Sequence, residues 1–187
     1  VGSEMCIRDS TYPAVELATA LLSASLAWHY GVTPAACAAI GLLWMLIALC
    51  LIDLKDMLLP DAITLPALWL GLVANYFGVF ASLHDAVAGI VVGYMTFWTI
   101  GKLFYVVRGV EGLGRGDYKL FALFGAWGGW QVLPATLLIA SVTTAAVGMA
   151  IRLGRKDRCL PFGPGLIVGG VISLVFGSEI NHWLLYR

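Results

Sequence analysis

Gly114-Arg115-Gly116-Asp117-Tyr118-Lys119-Leu120-Phe121 is where this chain passes from polar to apolar, since no side chain from Leu120 to Ile151 is charged. One membrane span needs about 20 apolar residues, so that run is longer than a single crossing. An ionised aspartate carried to mid-bilayer costs roughly 2.5–3.5 kcal/mol on insertion scales. Asp117, at the head of the run, is therefore a functional candidate. A second acid, Asp53, ends the run Leu46-Ile47-Ala48-Leu49-Cys50-Leu51-Ile52 and supplies a partner. Two carboxylates in such settings make a site.

Composition agrees with a membrane protein. The 187 residues are 60% hydrophobic and 12% charged, with a mean hydropathy of +0.90; soluble domains carry about 25% charge. The apolar runs are long and do not alternate, which excludes a β-barrel pattern and predicts an all-α polytopic bundle. Net charge is zero, so no basic face invites nucleic acid. Cys6, Cys37, Cys50 and Cys159 are scattered without a C-x-x-C pair, and neither a disulfide framework nor a metal site is supported.

Seven spans are expected. Leu17 to Ile52 holds two, broken at His29-Tyr30-Gly31-Val32-Thr33-Pro34. A polar loop Asp53–Asp61 follows, then a third span over about 62–82, a turn at Ser82–Asp85, and a fourth over about 86–107. Residues 108–119 read as a loop carrying the central motif. A short fifth span ends at Gly128-Gly129, a sixth covers about 134–152, and the last runs from near Pro161 to Trp183. Residues 1–10 are polar and without periodicity; they are expected to be non-native or disordered, with 11–187 forming one transmembrane domain.

Charge distribution orients this arrangement. Lys55, Lys102, Arg108, Arg115, Lys119, Arg152, Arg155, Lys156 and Arg158 all fall on one side if the spans alternate. The positive-inside rule assigns that side to the cytoplasm. Asp53 and Asp117 then reach the membrane from the same, cytoplasmic face.

Two neighbouring carboxylates cannot both ionise readily, so they share a proton. The charged member can take a proton from water while the neutral one hydrogen-bonds a scissile carbonyl. Gly114 and Gly116 would let an extended substrate backbone approach. Lys119 reads either as a group orienting one acid or as an interfacial anchor. Glu111 could line the substrate entrance, whereas Asp56 and Asp61 read as loop or capping acids.

Asp53-Leu54-Lys55-Asp56-Met57-Leu58-Leu59-Pro60-Asp61-Ala62-Ile63-Thr64-Leu65-Pro66 resembles the first motif of the type IV prepilin peptidases. Gly112-Leu113-Gly114-Arg115-Gly116-Asp117-Tyr118-Lys119-Leu120 is similar to their second, the G-x-G-D motif of intramembrane aspartyl proteases. Pro161-Phe162-Gly163-Pro164 resembles a third signature. The resemblance implies that Asp53 and Asp117 are the catalytic aspartates, with Gly114, Gly116, Lys119, Glu111 and Pro161–Pro164 in supporting or substrate-binding roles.

It further implies removal of a short basic leader, just after a glycine, from type IV prepilins or type II secretion pseudopilins. The place would be the cytoplasmic face of the inner membrane, and the partners the prepilin leader with its apolar helix, together with lipid. Proteolysis of this kind needs no metal or cofactor. Full-length members also methylate the new amine with S-adenosylmethionine and carry paired C-x-x-C motifs. Neither those motifs nor a methyl-donor site is visible here, so either an N-terminally truncated fragment or one of the shorter members is expected, without methyl transfer being implied. The rival classes are a transporter fragment binding ions or protons at Asp53 and Asp117, and a preflagellin- or signal-peptide-type G-x-G-D enzyme. No internal repeat supports a transporter, and the Leu58–Asp61 and Pro161–Pro164 signatures favour the prepilin kind.

Overall fold

The computed structural model describes residues 2–109, 114–152 and 161–185, with side chains over 12–109, 114–150 and 161–177. Among them are seven α-helices: α1 (Gly2–Tyr30), α2 (Pro34–Asp56), α3 (Asp61–Tyr76), α4 (Leu83–Arg108), α5 (Arg115–Gly128), α6 (Leu133–Arg152) and α7 (Gly163–Leu185). A single 3-10 turn, Trp130–Val132, leads into α6. No strand occurs among the described residues, as the non-alternating apolar runs require. The chain divides into two compact units, Val1–Ile47 and Ala48–Arg187.

In the first unit, α1 is helical from Gly2, which says nothing about the origin of residues 1–10. The expected break holds: Gly31 takes φ +65 and Pro34 opens α2. Thr33 supports that opening, since its side-chain oxygen accepts from the Ala36 N–H. Trp44 of α2 donates its indole N–H to Ser23 of α1 at 3.1 Å.

The second unit is organised around α5, whose residues Leu120 to Trp127 are all buried. Three helical stretches, Pro34–Asp56, Leu83–Arg108 and Trp130–Ala150, are long and apolar enough to cross a membrane, and Gly163–Gly177 is a shorter apolar helix. Their outward faces carry large apolar residues such as Val91, Met95, Leu103, Leu138 and Val142, all exposed. In water such surfaces would form a patch far beyond the few hundred Å² a soluble monomer exposes. In a bilayer they meet lipid.

α5 is amphipathic only at its start and is held on several sides. Gly89 of α4 and Gly125 of α5 face each other so closely that a Cβ on either would enter the other's backbone. This is the small-residue contact by which membrane helices approach each other. Phe97 of α4 stacks on Phe121 of α5 with ring centroids 4.3 Å apart.

Three boundaries differ from the sequence expectation. The third helix stops at Tyr76 rather than near 82. There Gly78 takes φ +69, and the Asn75 side-chain oxygen accepts from the Phe80 and Ala81 N–H groups at 3.1 and 2.9 Å, holding the chain in a turn. The expected polar loop Asp53–Asp61 is mostly helix: Asp53–Asp56 forms the last turn of α2, leaving Met57–Pro60 as the connection. The central motif is likewise helical from Arg115, so Asp117 lies inside the first turn of α5.

Candidate active site

Asp53 stands one turn before the end of α2, and Asp117 is the third residue of α5. Their relative exposures are 5% and 8%, so both carboxylates are withdrawn from solvent. They lie within electrostatic range of each other, although they are far apart along the chain.

Each acid stands against the start of a helix. Gly114 is the N-cap of α5, and Oδ2 of Asp117 lies 3.3 Å from where a Gly114 Cβ would stand. The Asp117 N–H in turn donates to the Gly114 carbonyl at 3.1 Å. Asp117 thus sits at N3, inside the first turn of α5, where the helix start favours negative charge. Asp53 stands against the start of α7, which Gly163 opens with a first-turn N–H that has no intrahelical partner. One oxygen of Asp53, Oδ2, is buried without a hydrogen-bond partner among the described residues.

The third sequence signature acquires a position here. A Cβ on Gly163 would collide with Oδ2 of Asp53, so only glycine lets the α7 backbone approach that carboxylate. Phe162 just before it sits 6.1 Å from Phe97 between ring centroids, tying the start of α7 to the aromatic stack beneath Asp117. Pro161 and Pro164 line an apolar pocket of about 190 Å³ together with Leu54, Thr144 and Val168.

Two supporting residues have partners other than those expected. Gly116, read as room for a substrate backbone, instead faces Leu59, and a Cβ there would lie 2.7 Å from the Leu59 Cβ. Lys119, considered as a group orienting one catalytic acid, donates to both carboxylate oxygens of Asp61 at 2.6 Å. Asp61 is thus an ion-pair partner and not a cap; Pro60 occupies the N-cap of α3 without a side-chain bond. Gly114 would crowd Asp117 if it bore a side chain, its Cβ falling 3.3 Å from Oδ2. Glu111 lies outside the described residues.

A model of the type IV leader peptidase family matches residues 40–149, a segment holding both buried acids. The chain belongs to that family. Three curated relatives named prepilin leader peptidase/N-methyltransferase illustrate the similarity. The Pseudomonas putida protein is 54% identical, over 90% of this chain and 60% of its own length. That of Pseudomonas aeruginosa is 50% identical over 93% and 61%, and that of Aeromonas hydrophila 46% identical over 95% and 62%. The chain therefore spans about three-fifths of the length of these leader peptidase relatives. No solved structure matches it.

Asn75 and Trp127 escaped the sequence reading. A lone amide in the apolar stretch Trp69–Phe80 was the available signal, because an unpaired amide in that setting is costly.

Proposed function

We propose that this chain is a membrane-embedded aspartyl endopeptidase that removes the leader from type IV prepilins or type II secretion pseudopilins, with Asp53 and Asp117 as the catalytic pair. One observation carries the reading: two buried carboxylates from distant segments lie within electrostatic range, each against the glycine at a helix start. The family and the relatives' names support it.

Such a pair holds one proton between its members, because adjacent like charges resist double ionisation. The ionised carboxylate takes a proton from water as the water oxygen attacks the scissile carbonyl carbon. The protonated carboxyl donates to the carbonyl oxygen as negative charge develops there. Collapse of the tetrahedral intermediate breaks the C–N bond, and the proton taken from water passes to the leaving amine. Close packing against Gly114 and Gly163 limits how far each carboxylate can rotate during these steps. Proteolysis needs no cofactor; S-adenosylmethionine enters only if this chain retains the methyl transfer that its relatives' names include. The substrate's leader approaches from the cytoplasmic side of the inner membrane, where the basic helix ends gather, while its apolar helix stays in lipid. No nucleic acid takes part.

The test is leader removal from a prepilin in membranes carrying Asp53→Asn or Asp117→Asn. Both variants should insert normally and leave the precursor uncut. Processing by either would remove the proposal.

A further inference from the structure

Lys119 and Asp61 form the best-defined ion pair near the candidate site, yet stability does not require it. Their side chains are 31% and 55% exposed, and exposed pairs contribute little to stability. Their location is more informative. Asp61 opens α3 immediately after the connection that follows Asp53, and Lys119 lies in the first turns of α5, just past Asp117. A two-residue step turns a helix by about 200°. Lys119 thus leaves α5 on the side away from Asp117, toward α3. Between the two acids' segments, Leu59 seats on Gly116. The connection after Asp53 is therefore held to the start of α5 at two points, an apolar seat and a bidentate ion pair.

We propose that the Lys119–Asp61 pair is a latch that sets the separation of the Asp53 and Asp117 carboxylates, an inference that rests on reading those two as the catalytic pair. Lys119 is then a positioning residue: it acts through the acids and does not touch the substrate. Met57–Pro60, the short connection the latch restrains, is hydrogen-bonded at its ends: the Met57 N–H donates to the Asp53 carbonyl, and the Pro60 carbonyl accepts from Ile63 and Thr64. That leaves Leu58 and Leu59 between them to be placed by the seat on Gly116. Without the latch, α2 and α5 retain their helices but lose the register that brings the acids together. Geometric error of about 1 Å at reacting groups costs about 100-fold in rate.

The experiment uses the full chain in lipid vesicles with a peptide bearing a prepilin leader and the start of its helix. Lys119→Met and Asp61→Asn should each lower kcat by about tenfold or more while KM stays within about twofold. Exchanging the charges, Asp61→Lys with Lys119→Asp, should recover kcat to within about threefold of the parent. A kcat within about twofold of the parent in either single variant overturns the latch, as does a raised KM at unchanged kcat. An exchanged pair no better than the single variants overturns it equally.

A second readout does not depend on activity. Nitroxides on Leu58→Cys and Arg115→Cys, in a chain otherwise free of cysteine, report the distance across the latch. That distance distribution should broaden in Lys119→Met and narrow again in the exchanged pair; an unchanged distribution overturns the proposal. If the parent cleaves nothing, the peptidase reading fails and the nitroxide distances still judge the latch.

Discussion

Asn75 of α3 donates to the Trp127 carbonyl at 2.9 Å, and the Trp127 indole returns a bond to the Ala67 carbonyl of α3 at 2.9 Å. The same Asn75 amide also donates to Ala126 at 2.8 Å. One buried side chain thus satisfies two of the last carbonyls of α5, the helix that carries Asp117 in its first turn, while its oxygen accepts from the turn after α3. A helix end buried without partners is unfavourable, so this clasp permits a short helix to end inside the unit.

Asn75→Leu should consequently destabilise the chain by about 2–4 kcal/mol, since it strands two carbonyls and two N–H groups at once. Thermal unfolding in detergent is the measurement. A melting temperature equal to the parent's would mean that the clasp is not a determinant of stability.

Gly163→Ala adds one methyl group where Oδ2 of Asp53 now sits. Leader cleavage should fall by about 100-fold or more, because the acid or the helix start must move. Expression and melting temperature should change much less than activity. Cleavage near the parental rate would show that Gly163 does not position Asp53.

The α4–α5 contact separates packing from composition. Gly89→Ala places a Cβ against the Gly125 backbone and should destabilise by about 1–3 kcal/mol. Gly41→Ala, also within a helix but with open space at its Cβ, should be neutral or stabilising by up to about 1 kcal/mol. Comparing the two by unfolding in detergent tests whether close backbone approach, rather than glycine content, holds α5.

Met57 takes φ +52, a left-handed conformation in a residue that is not glycine. Side chains there cost about 1–2 kcal/mol. Met57→Gly should recover up to about 1 kcal/mol of stability without moving Asp53. A loss of stability would instead show that the exposed Met57 side chain contributes through packing or lipid.

Helix number was legible because hydrocarbon leaves no alternative for an apolar backbone, and Gly31 with Pro34 marks the first break by rules that act within a few residues. The two acids were legible for the same reason, as charges at the edges of uncharged runs. The end of α3 was not. Nothing local to Phe77–Ser82 distinguishes a continuing helix from a turn until Asn75 folds back on it, and Asn75 does so while holding α5. The helical start at Arg115 was missed similarly, because two glycines argue for a loop until the Asp117 N–H is seen donating to the Gly114 carbonyl.

By itself, then, the amino-acid order determined the helical membrane architecture and singled out Asp53 and Asp117 as candidates. Those follow from transfer free energies, which depend on which residue stands where along the chain. Only the tertiary structure decided that Gly163 faces Asp53, that Gly116 seats Leu59, and that Lys119 pairs with Asp61. Those partnerships depend on how each helix is rotated about its axis against its neighbours. That rotation is set by side-chain packing across segments distant in sequence, and no local pattern records it.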